Sequence, residues 1–204
     1  MPYSPEHKAQ TRARIVVGAR KLFNRRGFAE VSIDEIMGEA GLTRGGFYNH
    51  FRNKDELYAE AVGQILTCHS SGKSDDVDID FQAEPKVLAR QIIAAYLSER
   101  HFSDIDGSCP LIALPSDVAR GGEAVKQAYR QVLNAMIGLF EQSQKSRTDA
   151  RSRAVTMATM CIGGMVLARA VDDTALGGEI RDVALNCALE TGGWDAEAPA
   201  VAAE

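Results

Sequence analysis

Ser32, Thr43, Arg44, Tyr48, Asn49, His50 and Lys54 place hydroxyl, guanidinium, phenol, amide, imidazole and ammonium groups within one short stretch of chain. Phe47 and Phe51 stand one helical turn apart among them. At about 100° per residue, the two phenylalanines anchor one face, Gly45 and Asn49 fall on the opposite face, and Tyr48 and Arg52 lie on its flank. A short helix that is polar where a helix is normally shielded is the pattern of an element inserted into a DNA groove. Gly45 and Gly46 fit that pattern. Glycine inside a helix costs roughly 1 kcal/mol relative to alanine, so two of them point to a backbone approached closely, either by a duplex or by a crowded neighbouring helix.

The surrounding sequence supplies the elements that position this one. Ser32 and Glu35 are spaced as a capping box. Ile33, Ile36, Met37 and Ala40 then recur at i, i+3, i+4 and i+7, one apolar helical stripe. Gly41 ends that helix, because glycine adopts positive φ without steric cost. Leu42 plugs the turn, and Thr43 is expected to cap the next helix. Upstream, residues 8–26 read as a helix with Ile15, Ala19, Leu22 and Phe23 on one face, closed by Gly27, after which Phe28 re-enters the core. Lys54 opens a fourth helix with Leu57, Ala61 and Ile65 in register, and Asp55 and Glu56 in its first turn suit the helix dipole.

Charge is divided unevenly along the chain. Residues 1–54 carry 10 Lys and Arg against 5 Asp and Glu, whereas residues 55–204 carry 13 against 23. A basic head on an acidic body is what phosphate neutralisation requires, and the overall pI of about 5.5 conceals it.

The runs Ala19-Arg-Lys-Leu-Phe, Gly27-Phe, Val31-Ser-Ile-Asp-Glu-Ile and Ala40-Gly-Leu-Thr-Arg-Gly-Gly-Phe-Tyr-Asn-His-Phe-Arg-Asn-Lys-Asp-Glu-Leu resemble the TetR-type one-component transcriptional regulators. The resemblance covers roughly residues 10–65; beyond residue 70 it rests on length and helicity. It implies that Thr43, Arg44 and Gly45 meet base edges and that Tyr48 and His50 hydrogen-bond phosphates. It further implies that Lys54 would contact the backbone, that Ser32 would offer its hydroxyl and helix N-terminus to a phosphate, and that Asn49 could also reach DNA. Arg44 is assigned base specificity, since arginine binds guanine O6 and N7 bidentately; a phosphate contact is its alternative role. Phe47 stands where the family often has an aliphatic residue. Lys8, Arg12 and Arg14 are read as a solvated face rather than a basic arm.

The 204 residues suffice for one or two small domains with a real core. Alternating apolar patterns do not persist, so the chain is read as all-α, with about nine helices. A helix-turn-helix DNA-binding domain is expected over 1–54, a helical ligand-binding and dimerisation domain over 55–191, and a flexible tail over 192–204. Within the second domain, helices are expected from about Pro85 to Arg100, with Val87, Ile92, Ala95 and Tyr96 inward, and from Pro110, with Pro115 kinking or ending it. Three more are expected at about 122–145, 148–171 and 178–191. The acidic run 70–81 is a solvated loop. Its Asp76, Asp78 and Asp80 fail as a calcium loop, because Phe81 holds the glycine position and Val87 the closing glutamate. Cys68, Cys109, Cys161 and Cys187 lack paired spacing and are read as free thiols of a cytoplasmic protein. No apolar run is long enough for a membrane span, and no signal-peptide pattern opens the chain.

Residues 155–170 are almost free of charge, the mark of a helix buried on several sides. The resemblance implies that the last two long helices of each subunit form a four-helix bundle in a homodimer. Such a dimer would bind a two-fold symmetric double-stranded operator. It also implies a small-molecule effector held among the middle helices, with Tyr96, Phe102, Cys109, Leu111, Tyr129, Met157, Met160 and Cys161 as candidate lining; ordinary core is the alternative for most. Cys109, before Pro110 at an expected helix N-terminus, is in addition a candidate electrophile or redox sensor. The expected function is a sequence-specific regulator, a repressor released by its effector; the alternatives are a helical ligand carrier and a thiol sensor on the same scaffold. With no phosphate loop, metal-ligand spacing or nucleophile–base set, no enzyme, cofactor or metal is expected.

Overall fold

The computed structural model describes residues 4–64 and 79–194, and its elements there are all helical: ten α-helices and one 3₁₀ helix. The all-α reading holds. These residues form two compact units, one from 4–64 with 104–132 and the other from 79–103 with 133–194. Residues 55–64 and 104–132, read from sequence with the second domain, thus pack in the unit that holds the amino-terminal helices.

In the first unit, helix α1 (Pro5–Glu30) starts at Ser4, whose hydroxyl accepts from the His7 N–H, with Pro5 at the first helical position. It is broken at Gly27, where φ is +77°. Helix α2 (Ile33–Glu39) follows, then the 3₁₀ helix Arg44–Asn49 and helix α3 (Lys54–Gly63). Two short helices, α6 (Pro110–Ala113) and α7 (Pro115–Arg120), complete the unit together with the first turns of α8 (Glu123–Ser143). One core joins them: Ile15, Ala19, Phe23, Ile36, Met37, Phe47, Phe51, Leu57 and Tyr58 with Leu114, Val118 and Val125.

In the second unit, helices α4 (Pro85–Tyr96) and α5 (Glu99–Ser103) pack with the remainder of α8, with α9 (Ala150–Ala170) and with α10 (Thr174–Gly192). The expected helix 85–100 is divided. The Ser98 hydroxyl donates to the Ala95 carbonyl and accepts from the His101 N–H, and the chain restarts as α5. The inward register of α4 is Ala89, Ile93 and Leu97, and Val87 faces solvent instead. Pro115 divides the expected sixth helix, ending α6 and opening α7. These two divisions account for eleven helical elements where the sequence suggested nine. Helices α9 and α10 make the most extensive pair. Gly164 lies against Ala184, where a Cβ would come within 2.5 Å of the alanine methyl. Residues 65–78 and 195–204, which include Cys68, most of the acidic loop and most of the tail, lie outside the described residues.

Candidate nucleic-acid interface

Helix α2 is tied at both ends by its own residues. Ser32 Oγ accepts from the Glu35 N–H at 3.2 Å, while Glu35 Oε2 accepts from the Ser32 N–H at 2.8 Å and from the Ser32 hydroxyl at 2.7 Å. Arg26 adds an ion pair at 2.6 Å. The Ser32 hydroxyl, its N–H and Arg26 together hold the Glu35 carboxyl down to about 2. At the other end Gly41 adopts φ +66°. The Leu42 N–H returns to the Met37 carbonyl at 2.8 Å and the Gly41 N–H to Gly38 at 2.9 Å, a Schellman closure. Arg14 Nη2 donates to the neighbouring Ala40 carbonyl at 2.5 Å.

The turn delivers the chain into the 3₁₀ helix rather than the α-helix the sequence suggests. Thr43 occupies the N-cap position, but its side chain makes no cap hydrogen bond; its carbonyl accepts from the Gly46 N–H at 3.0 Å. The element carries two glycines early and spans six residues, longer than the three or four usual for a 3₁₀ run. The phenylalanine anchor forms as expected. Phe47 and Phe51 are buried with ring centroids 5.6 Å apart, and Tyr48 stands edge-on to Phe47. On the other side Thr43, Arg44, Gly45, Tyr48 and Asn49 are exposed, Tyr48 at 60%. A Cβ built on Gly45 would meet nothing within 4 Å. The fold itself therefore does not require glycine there.

The charged residues are held individually. Arg44 Nη1 pairs with Asp34 Oδ2 at 2.6 Å, both side chains more than half exposed. His50 is half-buried and its Nδ1 is buried without a hydrogen-bond partner. Burial, then the charges of Lys8, Arg12 and His7, push its pKa down, favouring the neutral imidazole. Lys54 stands with Nζ 4.2 Å from the centroid of the Phe28 ring, at the start of a helix capped by Asn53, whose Oδ1 accepts from the Glu56 N–H at 2.8 Å. Burial lowers the Lys54 pKa, opposed by the charges of Asp55, Glu35 and Asp117. Ser32 is exposed, but its hydroxyl is committed to Glu35.

Arg12 is the residue the sequence misplaced. Read as part of a solvated face, it is half-buried, stacked 4.0 Å over the Phe51 ring. Its Nε donates to both Glu60 oxygens at 3.1 and 3.0 Å, Nη2 donates to Glu60 at 2.5 Å and to Glu56 at 3.3 Å, and Nη1 donates to the His50 carbonyl. Its hydrogen bonds to the Glu60 carboxylate raise its pKa. One guanidinium thus ties α1, α3 and the end of the 3₁₀ helix. The only trace of this in the sequence is Glu56 and Glu60 at i and i+4, which become a paired receptor once the helices are packed.

The eight candidate effector residues do not share one unit. Cys109, Leu111 and Tyr129 belong to the first, where the Tyr129 hydroxyl donates to the Leu111 carbonyl at 3.1 Å and burial pushes its pKa up to about 12. Cys109 is buried at the N-cap of the four-residue helix α6. Tyr96, Phe102, Met157, Met160 and Cys161 belong to the second. There Met157 and Cys161 are fully buried, burial drives the Cys161 thiol pKa upward, and Arg181 stacks on Phe102 at 4.8 Å. An open groove of about 490 Å³ runs along α1 and α2, lined by Arg14, Val17, Lys21 and Glu39 among others, and none of the eight reaches it. Among the described residues no cluster of three metal-ligating side chains occurs, and no helix is long and apolar enough to cross a membrane.

The family model for bacterial regulatory proteins of the tetR family matches residues 15–61, the stretch that builds this surface. The transposon Tn10 TetC protein of Escherichia coli is 42% identical over 64 residues, 31% of this chain and 32% of TetC. The uncharacterized HTH-type transcriptional regulator YerO of Bacillus subtilis is 28% identical over 125 residues, 60% of this chain and 42% of YerO. The chain thus spans less than half the length of either. The HTH-type transcriptional repressor BepR of Brucella suis is 25% identical over 165 residues, 78% of each chain. The fold extends further than the sequence match. Reduced Escherichia coli NemR superposes with a TM-score of 0.69 at 18% identity, over 94% of this chain and 100% of that one. A TetR-family regulator from Agrobacterium tumefaciens superposes with a TM-score of 0.65 at 22% identity, over 88% and 97%. A capped α2, a glycine-closed turn and an outward-facing 3₁₀ helix all lie inside the stretch that matches the tetR family of bacterial regulatory proteins.

Proposed function

We propose that the protein is a sequence-specific DNA-binding transcriptional regulator, a repressor that leaves its operator when a small molecule binds. The observation that carries this reading is the division of the 3₁₀ helix. Its aromatic side is locked into the core through Phe47 and Phe51, while Thr43, Arg44, Gly45, Tyr48 and Asn49 are exposed on the other. A rigid element with an open polar face and an uncrowded glycine is suited to a major groove. In this reading Arg44 exchanges Asp34 for a base edge, Tyr48, His50 and Lys54 meet phosphates, and the Ser32 hydroxyl exchanges Glu35 for a phosphate. With His50 Nδ1 buried and unbonded, Nε2 is the ring atom left to donate.

A homodimer sets the spacing of two such probes. Val155 and Leu167 on α9, and Leu176 and Val183 on α10, are exposed apolar side chains on the two long terminal helices. Between them the Thr159 hydroxyl is satisfied by the Val155 carbonyl at 2.8 Å, so it accepts burial without a further partner. A Cβ built on Gly163 or Gly178 would meet nothing within 4 Å, leaving room for a second copy. A two-fold dimer then reads a two-fold operator. An effector that prefers the DNA-incompetent state lowers operator affinity by its differential affinity for the two states. Within the second unit its candidate lining is Tyr96, Phe102, Met157, Met160 and Cys161, and the working protein is expected in the cytoplasm with the DNA.

The test is a gel shift on the duplex upstream of the protein's own gene, repeated at several salt concentrations. Binding that exceeds binding to random duplex and weakens steeply with salt supports the reading. No preference over random duplex at any salt refutes it and favours a ligand carrier.

A further inference from the structure

The geometry points to Asp117, outside the matched stretch, as the positioning residue for Lys54: its carboxylate holds Phe28, and Phe28 holds the Lys54 ammonium where a phosphate meets it. This inference rests on the DNA-binding reading above and adds to it a residue of α7.

The contact begins at the break in α1. Gly27 turns the chain with φ +77°, and the next N–H, that of Phe28, points out of the helix and donates to Asp117 Oδ2 at 2.8 Å. The fit is close, since a Cβ on Gly27 would lie 2.7 Å from that same oxygen. The Asp117 side chain is only 18% exposed, and Arg120 steadies it at 2.9 Å. Two further ties bring the segment before α6 against α1. Asn24 Nδ2 donates to the Asp106 and Ser108 carbonyls at 3.0 and 2.9 Å, and Arg25 pairs with the Asp106 carboxylate. These bonds span more than eighty residues of chain, so local sequence does not enforce them.

Phe28 is thereby fixed in place and orientation. Its ring stacks on Tyr58 at 4.6 Å, and Tyr58 meets Phe23 edge-on at 5.1 Å. On the ring stands Lys54 Nζ, 4.2 Å from the centroid. A lysine on a flexible stem is a poorly placed point charge unless its head is held; here the aromatic face holds it. Freeing the Phe28 backbone releases the ring, and with it the ammonium.

The experiment measures operator affinity of the full-length protein from 50 to 200 mM salt, with the duplex upstream of its own gene as probe. One phosphate contact contributes about 0.9 to the slope of log affinity against log salt, or roughly a 3.5-fold change over that range. Lys54→Ala is expected to flatten the slope by about that amount, Asp117→Ala by a similar amount, and the double variant by no more than either alone. Loss of stability alone lowers the melting temperature without changing the slope. An Asp117→Ala protein with the wild-type slope overturns the proposal, as does a double variant whose slope falls by the sum. If Asp117→Ala does not fold, Phe28→Leu, which keeps an apolar side chain but removes the ring, is measured against the same outcomes. Failure of the DNA-binding reading would show already in the wild-type protein as an absence of operator preference, which overturns this proposal too; failure of the positioning role alone shows only in the variants.

Discussion

Arg44 and Asp34 allow the reading of the DNA face to be tested quantitatively. The two charges meet at 2.6 Å, but the side chains are 63% and 55% exposed. A pair so exposed contributes at most about 1 kcal/mol. A bidentate contact from arginine to guanine discriminates by about 1–3 kcal/mol, so the base contact outweighs the ion pair. Arg44→Ala is expected to reduce the preference for the operator over a variant with the contacted base pair replaced by roughly 5- to 140-fold. Asp34→Ala releases Arg44 without altering what it reads. It should tighten binding by less than about 5-fold, with the order of base preference unchanged. Tyr48→Ala gives the contrasting signature, weaker binding to every sequence alike, because a phosphate contact carries no base information. The assay is a competition gel shift at constant salt over a set of operators substituted one base pair at a time. Unchanged base preference in Arg44→Ala refutes the assignment and makes Arg44 a backbone contact.

Three further outcomes follow from the same geometry. Gly45→Ala meets no neighbour in the fold and is expected to leave stability unchanged or raise it by up to about 1 kcal/mol, yet weaken operator binding; parallel thermal melts and gel shifts separate the two effects. Arg12→Ala strands the Glu56–Glu60 pair and the His50 carbonyl and should cost about 1–2 kcal/mol in denaturant unfolding; Arg12→Lys recovers only part, since one ammonium cannot span the receptors that the guanidinium reaches. Glu35 is held at about 2, below its unfolded value, so its capping contribution is complete above about pH 4.5 and lost as pH falls toward 2; the difference in melting temperature between wild type and Ser32→Ala should narrow over that interval.

Much of this molecule was legible because its signals are local. The Ser32–Glu35 box, the positive φ at Gly41 and the Phe47–Phe51 anchor each depend on residues within one or two turns of one another. Spacing alone fixes which of those groups can meet. The all-helical class followed from periodicity in the same way, and the family resemblance from the short span where those signals crowd together. Tertiary structure decided everything that depends on partners distant in the chain. Arg12 looks like one more basic residue on a helix until α3 brings Glu56 and Glu60 beneath it. Asp117 is an unremarked acid in a six-residue helix until the break at Gly27 turns the Phe28 N–H toward it. Val87 reads as a core residue by its type, yet the buried line of α4 is Ala89, Ile93 and Leu97 and Val87 is exposed. Local order is encoded in neighbouring side chains, whereas a charge or a carbonyl acquires its role only when packing removes water and leaves a single partner within reach.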